Sequence, residues 1–169
     1  MISRPLAISL ILLVLGAAGC SGAGPGTYTT APSPAATAGS TRPNAVADLT
    51  NTERTHAGLA RLTINAQLNT AAQLQADQAA SLATLEHEIP GGRYPTPADR
   101  LAAAGYNWQA YGENLASGYP TAADAVAGWM NSSGHRANIL NASFTELGTA
   151  YAIDAAGRPY WVQVFGRPR

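Results

Sequence analysis

Apolar positions fall into three regimes along the chain. Residues 4–19 are hydrophobic after an early arginine, residues 21–43 break up every apolar position with Gly, Pro, Ser or Thr, and from residue 44 apolar side chains recur periodically. Asn44 is placed to cap a helix running to about Thr55, with Val46, Leu49 and Ala57 on one face and Gly58 as its stop. A second helix is predicted over Asn65 to Leu85, carrying Leu68, Ala72, Ala79 and Leu82 at helical spacing. Its many alanines favour helix and allow neighbours to approach closely. Gly91-Gly92 and Pro95-Thr96-Pro97 mark a loop, with Pro97 suited to the first turn of a short helix ending at Gly105. Tyr111 to Ser117 reads as a strand. Thr121 to Asp124 opens a further helix, with Val126, Trp129 and Met130 facing inward.

The period then changes. Leu147–Ile153 and Tyr160–Phe165 are rich in β-forming residues and flank Asp154-Ala155-Ala156-Gly157, the pattern of an antiparallel hairpin. Helices precede strands without βαβ alternation and no internal repeat is visible. These features predict an α+β domain, with helices packed on a short antiparallel sheet.

The globular part can bury one core, so a single folded domain is expected over residues 44–169. Ten basic and ten acidic residues give zero formal charge. Without a basic stripe there is no reason to expect a nucleic-acid partner. The only cysteine is Cys20, so the folded part holds no disulfide and no thiolate metal site.

Arg4 and the apolar run Leu6 to Leu15 have signal-peptide proportions, too short for the roughly 20 apolar residues of a membrane span. The run ends Ala17-Ala18-Gly19-Cys20, which resembles the lipobox of bacterial lipoproteins. The alternative is an ordinary cleaved signal peptide with an incidental cysteine, whose exposed thiol would be reactive. The favoured expectation is a lipoprotein signal at 1–19, a lipidated Cys20, and an exported protein anchored to the extracytoplasmic face of a membrane. Residues 20–43 would serve as a disordered tether with a root-mean-square span of about 25 Å.

Further along, the chain carries six groups of residues in order. They are Asn51-Thr52-Glu53-Arg54 with Gly58-Leu59; Asp99-Arg100-Leu101 running to Gly105-Tyr106; Gly112-Glu113-Asn114-Leu115-Ala116; Trp129 to Ser132 with Gly134 to Leu140; Phe144 to Gly148; and Tyr160 to Phe165. With His87, these resemble the CAP superfamily, of cysteine-rich secretory proteins, antigen 5 and pathogenesis-related proteins, in its bacterial branch. The resemblance implies a three-layer α/β/α sandwich with a central cleft, where two histidines and two acids can hold a divalent metal, most often zinc. His87 and His135 correspond to the histidines, and Glu113, followed by Asn114, to one acid. Ser132 stands where animal members carry the second acid, and Glu146 is the nearby replacement.

Two neutral imidazoles and a carboxylate are a reasonable zinc environment. In the plainer alternative, Glu113 and His135 form a buried hydrogen-bonded pair that fixes the cleft walls. A Ser132 or Ser133, His135 and Glu113 triad can be sketched, but there is no Gly-x-Ser-x-Gly elbow, and serines before a helix are more often caps. The functional expectation is a non-catalytic envelope module for a small lipid, sugar, peptide or envelope protein. The alternative is a metal-dependent hydrolase of envelope peptides or esters, with Glu113 or Glu146 as base. His56 reads as a surface residue, and Asn51 and Arg54 as ties from the first helix to neighbouring loops. Trp129, Trp161 and Phe165 read as core. Trp108 and tyrosines 106, 111, 119 and 151 either edge the cleft or pack.

Overall fold

The computed structural model describes residues 42–169, so the signal segment, Cys20 and the tether up to residue 41 lie outside the described residues. The elements run α1 (Arg42–His56), β1 (Thr63–Ile64), α2 (Ala66–Leu82), α3 (Pro97–Ala103), β2 (Trp108–Ser117), α4 (Ala122–Asn131), α5 (Ser133–Ile139), β3 (Glu146–Ile153) and β4 (Pro159–Pro168). The strands form one sheet in the order β1-β3-β4-β2. β3–β4 and β4–β2 pair antiparallel, whereas the short β1 runs parallel to β3.

Alternation along the central strand β4 sorts the core into two layers, because successive side chains point to opposite faces. Trp161 and Phe165 join Val46, Ala125, Val126, Trp129, Ile139, Phe144 and Leu147, a cluster roofed by α1, α4 and α5. Val162 and Val164 join Leu68, Ala71, Ala72, Ala76, Leu101 and Tyr106 beneath α2 and α3. The fold is therefore an α+β, three-layer α/β/α sandwich. Trp129, Trp161 and Phe165 are core as expected. Tyr106 is buried and Tyr151 packs against Trp161, while Tyr111 and Tyr119 stay exposed.

Boundaries differ from the expectation for local reasons. α1 begins at Arg42, so Asn44 lies inside the helix rather than capping it. Pro43 suits a first turn, where its missing N–H has no helical partner to lose. α2 stops at Leu82 because Ala83 turns into the left-handed region at φ 49, its N–H reaching the Ala79 and Ala80 carbonyls. Leu82, expected on the buried stripe, is 57% exposed. Asn65 caps α2 by accepting the N–H groups of Gln67 and Leu68 at 2.8 and 3.1 Å. Ala57, expected on the apolar face of the first helix, is exposed beyond its end. β1 has no counterpart in the sequence reading, and α5 entered it only as a helix without bounds after Ser132 and Ser133. Two residues carry no period, and the seven of α5 contribute one buried side chain, Ile139.

Asn51 and Arg54 act as predicted. Asn51 exchanges two bonds with the Leu62 backbone, 3.0 and 2.7 Å. The buried Arg54 guanidinium donates to the carbonyls of Ala60, Ile139 and Asn141 at 2.8–2.9 Å.

Candidate functional site

β2 lies at the edge of the sheet, and its adjacent residues Glu113 and Asn114 serve opposite layers. Glu113 stands opposite Val164 on the α2/α3 side, while Asn114 stands opposite Gln163 on the α4/α5 side. The Glu113 side chain is nearly buried, yet it is well partnered. Arg100 of α3 places Nη2 3.1 and 3.0 Å from its two oxygens. His87, from the connection between α2 and α3, approaches Oε1 with Nδ1 at 2.9 Å. A carboxylate only accepts, so the His87 Nδ1–H donates, which turns the free Nε2 outward on a half-exposed ring.

The loop carrying His87 is fastened from beneath at consecutive carbonyls. Gln75 Nε2 donates to Glu86 O at 2.6 Å and Arg100 Nη2 to His87 O at 3.0 Å. On the opposite face Asn114 Nδ2 donates to the His135 carbonyl at 3.1 Å and to Gln163 Oε1 at 2.9 Å. Asn138 Nδ2 donates to Asn114 Oδ1 at 2.9 Å and to Glu113 O at 3.2 Å. Gln163 Nε2 continues the network to Thr50 Oγ1 at 2.5 Å. These amides hold α5, and hence His135, against the edge strand.

The hydrogen-bonded pair of Glu113 with the His135 ring is not formed; Glu113 bonds Arg100 and His87 instead. His135 is half-buried in the first turns of α5, where burial, and then the nearby His87, push its pKa below the ordinary imidazole value. His135 therefore stays neutral at pH 7. A histidine whose folded pKa is depressed binds fewer protons folded than unfolded, so stability falls as pH drops through the unfolded value of about 6.5. Urea melts from pH 7.5 to 5 should show this loss, and His135→Asn should flatten it. Parallel profiles for the two proteins would contradict the assignment.

The other candidates lie apart. Glu146 accepts from the Tyr106 hydroxyl at 2.6 Å, and burial, then this carboxylate, hold the phenol well above its usual pKa. Glu146 thus anchors Tyr106 and touches neither imidazole. Ser132 occupies the N-cap position of α5 without making a cap bond. It lines a shallow groove with Tyr119, Asp124, Gly128 and Asn131. Among the described residues neither Ser132 nor Ser133 bonds to a histidine, so the sketched triad is not assembled.

Nor does the donor set fit zinc as arranged. Among the described residues no group of three or more His, Cys, Asp or Glu side chains could hold a metal ion. Both oxygens of Glu113 face the Arg100 guanidinium. Arg100, Asn138 and Gln163 stand within the sequence motifs but had no role assigned to them there, and Gln75 was missed. The available signal was a polar residue at a core position, since buried polar groups persist only with partners.

The family model of the cysteine-rich secretory proteins, CAP, matches residues 47–165. The chain belongs to this family. The CAP domain is 36% identical over 120 residues to the Bacillus subtilis protein YkwD, covering 71% of this chain and 45% of that one. It is 40% identical over 73 residues to the B. subtilis membrane protein YlbC, covering 43% of this chain and 20% of that one. The chain therefore spans less than half the length of these curated relatives. Among solved structures, an extracellular SCP-domain protein of Bacillus anthracis superposes with a TM-score of 0.69 at 30% identity, covering 75% of this chain and 40% of that one. An outer surface protein of Borrelia burgdorferi shares the fold, with a TM-score of 0.67 at 22% identity over 73% of this chain and 90% of its own. Among the described residues no helix is long and apolar enough to cross a membrane.

Proposed function

We propose that this CAP domain is a non-catalytic binding module of the bacterial envelope. It meets a small lipid, sugar or peptide at the edge strand β2, beside His87, which the nearly buried Glu113 holds, and His135. One observation carries the reading: among the described residues, the carboxylate bonded to His87 is also engaged by a buried guanidinium. A general base needs an oxygen free to reach the proton it takes, and both Glu113 oxygens are already engaged by hydrogen bonds, Oε1 from His87 and Arg100 and Oε2 from Arg100. Among the described residues neither serine that could act as a nucleophile bonds to a histidine. What remains is a pair of imidazoles on fastened segments, suited to hydrogen bonding.

Assays of the full chain with generic ester and peptide substrates, with and without zinc, should show no turnover above that of the double variant His87→Ala/His135→Ala. Metal-dependent turnover abolished by His135→Ala would replace the binding reading with hydrolysis.

The extracellular relative and the lipobox-like sequence support export and anchoring by acyl chains on Cys20. Two or more chains make such an anchor stable. Cys20→Ala should release the protein into the medium, as followed by fractionation and immunoblot. Unchanged membrane retention would exclude the acyl anchor.

A further inference from the structure

We infer that Arg100 is the resident cation at Glu113 and sets the ligand class of the site, holding divalent metal ions off Glu113 so that ligands are met by hydrogen bonds alone. The inference rests on the binding reading above and adds the chemistry by which the ligand is held. Arg100 is 1% exposed, and its Nη2 lies within 3.1 Å of both Glu113 oxygens. The guanidinium is fixed in place. The same nitrogen donates to the His87 carbonyl at 3.0 Å, and Nη1 donates to the Tyr94 carbonyl at 3.3 Å.

Arginine does not lose its proton in a protein, so this charge is permanent. A zinc ion bound to Glu113 would therefore sit beside a fixed like charge inside the domain, where repulsion is stronger than in water. Among the described residues no three His, Cys, Asp or Glu side chains gather to hold a metal ion, whereas even an open zinc site usually takes three protein ligands. His87 also has Nδ1 committed to Glu113. The cation that the carboxylate needs is supplied by the chain itself.

The test is calorimetric titration of zinc chloride into the full chain and into Arg100→Gln, both in a Cys20→Ser background so that the thiol does not compete. Thermal melts with and without zinc accompany it. The wild-type arginine form should give no saturable binding. Arg100→Gln should gain saturable zinc binding that the arginine form lacks, as expected when one adjacent like charge is removed. That gain should disappear when His87→Ala or Glu113→Gln is added.

Saturable zinc binding by the arginine form that Glu113→Gln abolishes would overturn the inference. So would a folded Arg100→Gln that binds zinc no better. If Arg100→Gln is unfolded alone, recovery of its melting transition on adding zinc supports the inference. If it does not fold even with zinc, the titration of the arginine form decides by the same criterion. Zinc binding without turnover would remove this inference and leave the binding module standing; turnover without zinc would do the reverse.

Discussion

Gly148→Ala should destabilise the domain by about 3 kcal/mol or more, the upper range for forcing atoms into a packed core. The expected readout is a urea midpoint far below that of the parent, or failure to accumulate as folded protein. Gly148 lies in β3, where α2 crosses the sheet. A Cβ built there would collide with the carbonyl of Leu68 and the amide nitrogen of Asn69. Both are helix backbone, so no side chain can swing aside, and α2 would have to lift from β3. That shift would open the layer in which Leu68, Ala71, Ala72 and Ala76 meet Val162 and Val164. Gly134→Ala is the matched control. Nothing lies within 4 Å of a Cβ at that position, and it is within α5. Alanine there should be neutral or stabilising by up to about 1 kcal/mol. Equal urea midpoints for the two variants would mean that α2 does not rest on β3 as described.

That contact shows what the sequence made legible and what it hid. The alanine run of α2 signals a helix built for close approach, and the alternation in β3 and β4 signals a sheet. The partner surface is another matter, because Leu68 and Gly148 lie far apart in the chain and nothing local announces their meeting. The candidate site follows the same rule. The motifs surrounding Glu113, His87 and His135 could be read directly, and the fold implied by their resemblance to the CAP family matches the structure. The partner of Glu113 could not be read. His135 stood closer in sequence than His87, yet strand alternation turns Glu113 toward the α2/α3 layer, whereas His135 belongs to the α4/α5 layer. Arg100 was visible as part of the Asp99-Arg100-Leu101 motif, within a short helix opening at Pro97, but not as a buried charge. A capping box on Thr96 and Asp99 fixes that helix, with Pro97 in its first turn, and together they aim the arginine inward.

Breaking the Arg100–Glu113 pair from either side should be far more damaging than removing both partners. Arg100→Met leaves a nearly buried carboxylate with only His87 beside it, and Glu113→Gln leaves a buried guanidinium without its anion. Losing one member of such a pair costs about 3–5 kcal/mol, because the survivor keeps its desolvation penalty without compensation. The pair itself need not contribute much net stability. Arg100 Nε is buried with no protein partner, so part of the guanidinium's desolvation is never recovered. The double variant Arg100→Met/Glu113→Gln removes both charges, and its loss should fall well short of the sum of the singles. Urea unfolding of the four proteins at pH 7 gives the coupling energy directly, expected at about 2 kcal/mol or more for groups in direct contact. Additive losses would mean that the two side chains act independently, and the charge-compensated carboxylate on which the binding reading stands would then lack its physical basis.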